Sequence, residues 1–121
     1  MSEDKPSLSA QNLDYETFLA VDMRVGRIIA VEPNAKARKP SYCLKVDFGP
    51  EIGVKASSAQ IVDLYDRGDL IGRRVIAVVN FPPKRIAGFL SEVLVMGAPD
   101  AKGRVALLSV DGDVPLGARI F

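Results

Sequence analysis

One stretch, residues 75–98, restricts the fold of this chain more than any other. Val75–Val79 is an unbroken apolar run rich in β-branched residues, which is typical of a strand buried on both faces. The strand must end at Phe81–Pro83, because proline offers no N–H to a strand ladder. Phe89–Met96 predicts the next strand. The two strands therefore flank a rigid loop that carries the pair Lys84-Arg85.

Further segments are predicted from hydrophobic periodicity and from glycine and proline punctuation. In chain order they are a helix over Asp14–Ala20, strands over Met23–Val31, Tyr42–Phe48 and Val54–Val62, a turn of helix over Asp66–Ile71, a strand over Val105–Val110 and an extended tail over Leu116–Phe121. In the first strand Val25, Ile29 and Val31 share one parity, and Gly26 predicts a bulge or a sharp bend. For the third strand, a helix over Ala59–Tyr65 is the alternative.

The order of these elements predicts an all-β fold with little helix. Three strands, a short helix and two further strands match a five-stranded Greek-key barrel of the oligonucleotide-binding (OB) type. A short N-terminal helix and a C-terminal β extension complete it. We expect a mobile arm over residues 1–12 and one domain over residues 13–121. Within that domain the helix spans 14–20, the barrel about 22–98 and the extension 99–121.

Length and composition point to one globular domain. The chain has 121 residues and a mass of 13.0 kDa, with 48% hydrophobic and 26% charged residues. No apolar run approaches the ~20 residues of a membrane span, so no membrane insertion is expected. The N-terminus lacks the basic and apolar parts of a signal peptide. Cys43 is the single cysteine and forms no intramolecular disulfide, so a cytoplasmic location is expected.

The net charge of +1 conceals an uneven distribution. Residues 1–22 carry five acidic side chains and one basic, which leaves 15 basic and 10 acidic in residues 23–121. Two clusters of basic residues have no acidic residue among them. The first contains Lys36, Arg38, Lys39 and Lys45, and the second contains Arg73, Arg74, Lys84 and Arg85. Such clusters favour a polyanionic partner, and two solvated surface stretches are the alternative.

Several separate motifs resemble one known superfamily. Those similar to the tRNA-binding domain of aminoacyl-tRNA synthetase appendages and free-standing tRNA-binding proteins are Val21–Ile28, Lys45–Gly49 and Asn80–Arg85. Those similar to its CsaA-type members, which are export-related bacterial chaperones, are Lys39–Tyr42, Lys55–Ile61 and Ser91–Val95. The resemblance runs from about Tyr15 to Phe121. It implies an OB-fold homodimer that binds tRNA and also unfolded or pre-export polypeptides.

In an OB barrel, nucleic acid crosses one face, where cations follow the phosphates and strand residues contact bases. The predicted nucleic-acid contacts are Lys36, Arg38, Lys39, Ser57, Ser58, Asn80, Lys84, Arg85 and Ser91. The alternatives are a turn role for Asn80, edge-strand positions for the serines and a solvated loop tip for Lys84 and Arg85. Aromatic residues are few, and Phe48 and Phe81 are expected in the core. We therefore expect salt-sensitive binding led by phosphate contacts.

A polypeptide holdase would bind its client through exposed apolar area. The predicted peptide-binding residues lie on or beside the same loop: Phe81, Pro82, Pro83, Ile86 and Phe89. The favoured alternative is that they close the barrel end or form a dimer contact. The N-terminal helix is too short to be stable undocked, so it must pack on the body of the domain or on a second subunit, and a homodimer is expected. The apolar side chains of the tail would join that contact: Val114, Leu116, Ile120 and Phe121.

Enzyme chemistry is not expected. The chain contains no histidine for general base work, and Cys43 has no basic neighbour to activate it. Asp111 and Asp113 are a turn pair rather than a metal-ligand set. Glycine-rich phosphate loops and zinc-ligand spacings are absent from the sequence. The prediction is a binding protein without cofactor, metal or catalytic residue.

Overall fold

The computed structural model describes residues 12–121. Its elements are α1 (Tyr15–Leu19), β1 (Met23–Pro33), β2 (Tyr42–Asp47), β3 (Val54–Ala59), α2 (Arg67–Leu70), β4 (Arg74–Val78), β5 (Lys84–Ile86), β6 (Phe89–Ser91), β7 (Leu94–Val95), β8 (Gly97–Pro99) and β9 (Val105–Leu107). No helix in this range has the length and apolar character needed to cross a membrane. The arm predicted over residues 1–12 lies outside the described residues, apart from Asn12.

Five strands form an antiparallel sheet in the order β3-β2-β1-β4-β7. β2 alternates as predicted, with Leu44 and Val46 fully buried and Lys45 exposed. The sheet curls until β3 meets the segment that follows β6. There the Glu92 N–H donates to the Ala56 carbonyl at 2.8 Å, and the Ala56 N–H donates to Glu92 Oε1 at 2.9 Å. The nearly closed barrel confirms the predicted OB-like fold.

The helix between the third and fourth strands is also confirmed. In α2 the side chain of Leu70 is fully buried in the core, where Phe48 and Val75 also lie. The Asp66 N–H donates to Asp69 Oδ2 at 3.1 Å, which satisfies a donor at the helix start. The ambiguous segment before it is a strand, β3, but only as far as Ala59, and residues 60–65 form coil and a turn instead of the alternative helix.

β1 bulges at Ile29. The register against β2 shifts between Ile28 and Ala30, and Ile29 is 46% exposed. The sequence pattern placed Ile29 on the same face as Val25 and Val31, which are buried. That prediction was wrong because Ile29 is the extra residue of the bulge and stands outside the alternation of the strand, whereas its neighbour Ile28 is fully buried.

The bulge predicted at Gly26 lies at Ile29 instead, and Gly26 allows a close approach of the backbone to the core. A Cβ at this position would lie 2.5 Å from Val46 Cγ1 and 2.7 Å from Phe48 Cε1. These separations are shorter than carbon atoms tolerate. Gly26 is therefore the point where β1 passes directly over the core side chains of β2.

The segment after β4 contains a hairpin where a loop was predicted. Lys84 and Arg85 belong to β5, which pairs only with β6, and the turn between the two strands is Ala87-Gly88. Both turn residues have positive φ, 49° and 80°, as a type I′ turn requires. We name this two-stranded element, residues 84–91, the ribbon. The placement of Lys84 and Arg85 in a loop was wrong.

The strand predicted over Phe89–Met96 is divided among β6, β7 and the chain leading to β8. The division has a hydrogen-bonding cause, since the N–H groups of Glu92 and Val93 both donate to Ala56 at 2.8 and 3.3 Å and leave the ladder with β5. Beyond it, β8 pairs with β9, so the last predicted strand is confirmed but ends at Leu107.

Asn80 fastens α1 to the barrel. Its Nδ2 donates to the Ala20 carbonyl at 2.7 Å, and its Oδ1 accepts from the Asp22 N–H at 3.1 Å. The C-terminal tail lies beside the same region, because Arg119 Nη2 donates to the Leu19 carbonyl at 2.6 Å. The helix, the start of β1 and the tail thus form one side of the molecule.

Candidate binding surfaces around the ribbon

A groove of about 200 Å³ opens beside the ribbon. The residues lining it are Phe81, Pro82, Lys84, Ile86, Ser91, Glu92, Val93 and Leu94. Most of these lining residues are apolar. Two of them are well exposed, Phe81 at 54% and Leu94 at 50%. Exposed aromatic and aliphatic area of this kind is what an apolar side chain of another molecule would cover.

Three of the five predicted peptide-binding residues line the groove: Phe81, Pro82 and Ile86. Pro83 is exposed nearby and Phe89 is half-buried, and neither contributes to its lining. The expectation that Phe81 lies in the core was wrong, because the prolines carry the chain out of the barrel; Phe48 is buried as expected. Sequence reasoning missed Leu94, which was placed inside a continuous strand.

The two basic clusters meet at the ribbon tip. A Cβ built on Gly88 would lie 3.4 Å from Lys36 Cδ and 3.7 Å from Lys36 Nζ. Arg85 Nη1 donates to the Gly88 carbonyl at 3.2 Å. Lys36 therefore packs against the turn that Arg85 also contacts, although about 50 positions separate the two in sequence.

The second basic cluster divides into two pairs with different surroundings. The Arg73 guanidinium stacks 4.9 Å from the centre of the Tyr65 ring, and Arg74 pairs with Asp113 at 3.1 Å. Both arginines thus have a side-chain partner within the described chain. By contrast, within residues 12–121 no carboxylate lies within 4.0 Å of Lys84 or Arg85. The ribbon pair is therefore exposed and not neutralised by any carboxylate of residues 12–121.

The same holds for the loop between β1 and β2. Lys36, Arg38 and Lys39 are all exposed, and none forms an ion pair with a carboxylate of the described chain. Lys39 also borders a second cavity of about 300 Å³. The remaining lining residues of that cavity are Pro40, Gln60, Val62, Asp63, Gly103 and Val105. The loop therefore extends from the ribbon tip to a second, more polar cleft.

Three of the four predicted polar side chains, those of Ser57, Asn80 and Ser91, are engaged within the protein, whereas Ser58 is half-buried and contributes its backbone groups. Ser57 is fully buried, and its hydroxyl donates to the Ser58 carbonyl at 3.2 Å. Ser91 is 9% exposed, and its Oγ accepts from the Ser58 N–H at 3.0 Å. Asn80 uses its amide to hold α1, as described above. Ser91 thus contributes to closing the barrel, and Asn80 holds the N-terminal helix. The basic residues form the exposed charged surface.

Cys43 lies on the outer face of β2, opposite Glu32 of β1. Burial raises the pKa of the Cys43 thiol, and the nearby Glu32 carboxylate raises it further. A thiol shifted in this direction is mostly protonated at neutral pH and is a weak nucleophile. Within residues 12–121 no group of three or more His, Cys, Asp or Glu side chains is arranged to hold a metal ion.

The fold and these surfaces agree with the comparison against known families. The chain belongs to the family described as "Putative tRNA binding domain", whose model matches residues 23–119. That span runs from the first residue of β1 into the C-terminal tail.

Two solved structures are particularly similar. One is the chaperone CsaA from Bacillus anthracis str. Ames, at 47% identity and a TM-score of 0.85, covering 92% of this chain and 100% of that chain. The other is the CsaA chaperone protein from Picrophilus torridus, at 50% identity and a TM-score of 0.84, covering 91% and 100%. These similarities confirm the resemblance to CsaA-type chaperones.

Curated relatives include a far longer protein. The methionine–tRNA ligase of Thermococcus onnurineus is 39% identical over 106 residues, which is 88% of this chain and 14% of the ligase. The chain thus spans about a seventh of the length of that relative.

Proposed function

We propose that this protein is a tRNA-binding and polypeptide-holding module that acts without catalysis as a homodimeric, export-related chaperone in the cytoplasm. The observation that carries the proposal is the pairing of two surfaces on one ribbon. An apolar groove adjoins it, and basic side chains without carboxylate partners in the described chain surround it. Support comes from the family match and from the similarity to the two chaperone structures.

The basic residues are suited to phosphate rather than to base recognition. Arg85 can donate two parallel hydrogen bonds to one phosphate, and Lys36 and Lys39 supply mobile point charges. Among the described residues, three aromatic side chains have large exposed areas: Tyr15, Phe81 and Phe121. Only Phe81 lies beside the ribbon, so stacking on bases contributes little there. Binding to tRNA is then tuned by charge and depends weakly on sequence.

Salt dependence tests the tRNA part. Neutralising four phosphates predicts that the affinity falls about a hundredfold between ~50 and ~200 mM salt. The double variant Lys84→Ala/Arg85→Ala should flatten that slope and weaken all tRNAs alike. Salt-independent binding, or none at low salt, would remove tRNA from the proposal.

Suppression of aggregation tests the holdase part. An unfolded client should remain in solution at stoichiometric amounts of the protein. Phe81→Ser should abolish this protection because it removes the largest apolar wall of the groove. Loss of tRNA binding in the same variant would indicate misfolding and not a lost client site. If the unmodified protein gives no protection, the alternative is a tRNA-binding accessory protein without chaperone role.

The homodimer is proposed from the side of the molecule formed by α1 and the tail. Large apolar side chains are exposed there: Leu13, Tyr15, Leu19, Val21 and Phe121. Phe121 alone is 92% exposed. Burying such a patch against a second copy would produce an isologous contact. Sedimentation equilibrium should give twice 13.0 kDa, and Leu19→Asp should return the mass to that of one chain.

A further inference from the structure

The ribbon presents two adjacent cations to opposite sides. In a β-strand, successive side chains point to opposite faces, and residues paired across the ladder share a face. The ladder pairs Lys84 with Ser91, Arg85 with Leu90 and Ile86 with Phe89. One face of the ribbon therefore carries Lys84 and Ile86, and the other carries Arg85 and Leu90.

The groove agrees with this division. Lys84 and Ile86 line it, and neither Arg85 nor Leu90 does. On the second face Leu90 is 41% exposed and Arg85 is also exposed, so that face is open to solvent. The two cations can therefore meet different ligands.

Glu92 decides which ligand suits the groove. It lines the groove together with Lys84, but lies beyond ion-pair distance of it. The Ala56 N–H holds Glu92 Oε1 at 2.9 Å, so the carboxylate stays on the wall. A fixed carboxylate repels a phosphate backbone, which carries a charge at every nucleotide, whereas a polypeptide can present one acidic side chain at Lys84 and uncharged groups beside Glu92. Lys84, on a flexible stem, then offers its ammonium to carboxylates or carbonyls of that polypeptide.

We propose that Lys84 is a specificity-determining residue of the polypeptide groove and takes no part in nucleic-acid binding, so that polypeptide and tRNA bind opposite faces of the ribbon. The ligand class of the groove is an extended segment with apolar side chains flanking an acidic one. Arg85, one residue away, belongs to the tRNA surface. This inference rests on the proposed function and divides its two activities between neighbouring residues.

The test measures both ligands on full-length single variants. The probes are a fluorescent decapeptide of Leu, Val and Ser with one central Glu, its Gln counterpart, and unfractionated tRNA. Lys84→Ala should lower affinity for the Glu peptide about fivefold, as an exposed charge pair allows. It should leave the Gln peptide and tRNA unchanged. Arg85→Ala should lower tRNA affinity and flatten its salt slope. Lys102→Ala, an exposed lysine in the β8–β9 turn, controls for net charge.

A second variant tests the carboxylate. Glu92→Gln keeps the acceptor for the Ala56 N–H but removes the repulsion. It should allow tRNA to displace the Glu peptide, which the unmodified protein should bind together with tRNA. If Lys84→Ala weakens tRNA as much as Arg85→Ala does, or if tRNA already displaces peptide from the unmodified protein, the inference is overturned while the proposed function stands. If neither probe binds the unmodified protein, the proposed function itself has failed.

Discussion

The barrel and the ribbon use the same residue types for opposite purposes. In the barrel, arginines are held in place: Arg24 pairs with Asp22 at 2.6 Å, and Arg74 pairs with Asp113 at 3.1 Å. Hydrogen bonding to the Asp22 carboxylate raises the pKa of Arg24. In the ribbon, Lys84 and Arg85 have no such carboxylate among the described residues. The comparison teaches that charge density along the sequence does not show which of the described cations have a carboxylate partner in the folded chain.

Apolar residues also differ between the barrel and the ribbon. Replacing them should give the largest change in the free energy of unfolding. Leu44→Ala in the barrel should lower the free energy of unfolding by about 2–5 kcal/mol, because Leu44 is fully buried. Leu90→Ala in the ribbon should change it by about 0.5 kcal/mol. Urea unfolding followed by circular dichroism measures both. Equal losses would show that the ribbon belongs to the cooperative core and would end the distinction.

Substitutions of two glycines test the next largest difference, that between a tightly packed and an open position. Gly26→Ala should cost about 1–3 kcal/mol, because the new Cβ would overlap Val46 and Phe48. Gly68→Ala is the matched control, since a Cβ there meets nothing within 4 Å and φ is not positive. It should leave stability unchanged or raise it slightly. Thermal unfolding of the two variants separates close packing from the general effect of removing a glycine.

Asn80 lies where barrel and groove meet, so it tests whether a side chain near the groove serves structure or binding. Asn80→Ala removes two hydrogen bonds to the α1–β1 connection and should cost about 1 kcal/mol. Affinity for tRNA, measured on folded protein, should not change. Asn12→Ala, at the exposed start of the same segment, is the control. A fall in tRNA affinity at unchanged stability would instead make Asn80 a direct contact.

The smallest effect concerns the β8–β9 hairpin. The backbone N–H of Arg104 lowers the pKa of Asp100, with help from the Lys102 N–H and the Arg104 guanidinium. A carboxyl whose folded pKa is depressed stabilises the fold above its unfolded value, near pH ~4. That stabilisation is lost as pH falls through the folded pKa. Stability measured between about pH 5 and pH 2 should decline less in Asp100→Asn, whereas an identical decline would remove Asp100 as a contributor.

Much of the barrel was predictable because its signals are local. Alternation in β2 fixes which side chains enter the core, and proline fixes where β4 ends. The bulge at Ile29 was not predictable, because an inserted residue leaves no mark in a periodic pattern until the partner strand is known. The break after Ser91 depends on Ala56, about 35 positions earlier, and is equally invisible from the local sequence.

By itself, the sequence determined the class of fold, the presence of two basic clusters and the apolar character of the segment after β4, since each follows from composition or short-range periodicity. Only the tertiary structure decided which of the described charges have partners within residues 12–121. It brought Lys36 to the ribbon tip and placed Lys84 and Arg85 on opposite faces of the ribbon. It also paired Arg73 with the Tyr65 ring and Arg74 with Asp113. The physical reason is that the partners of a charge are its neighbours in space, and that successive side chains of a strand point to opposite faces.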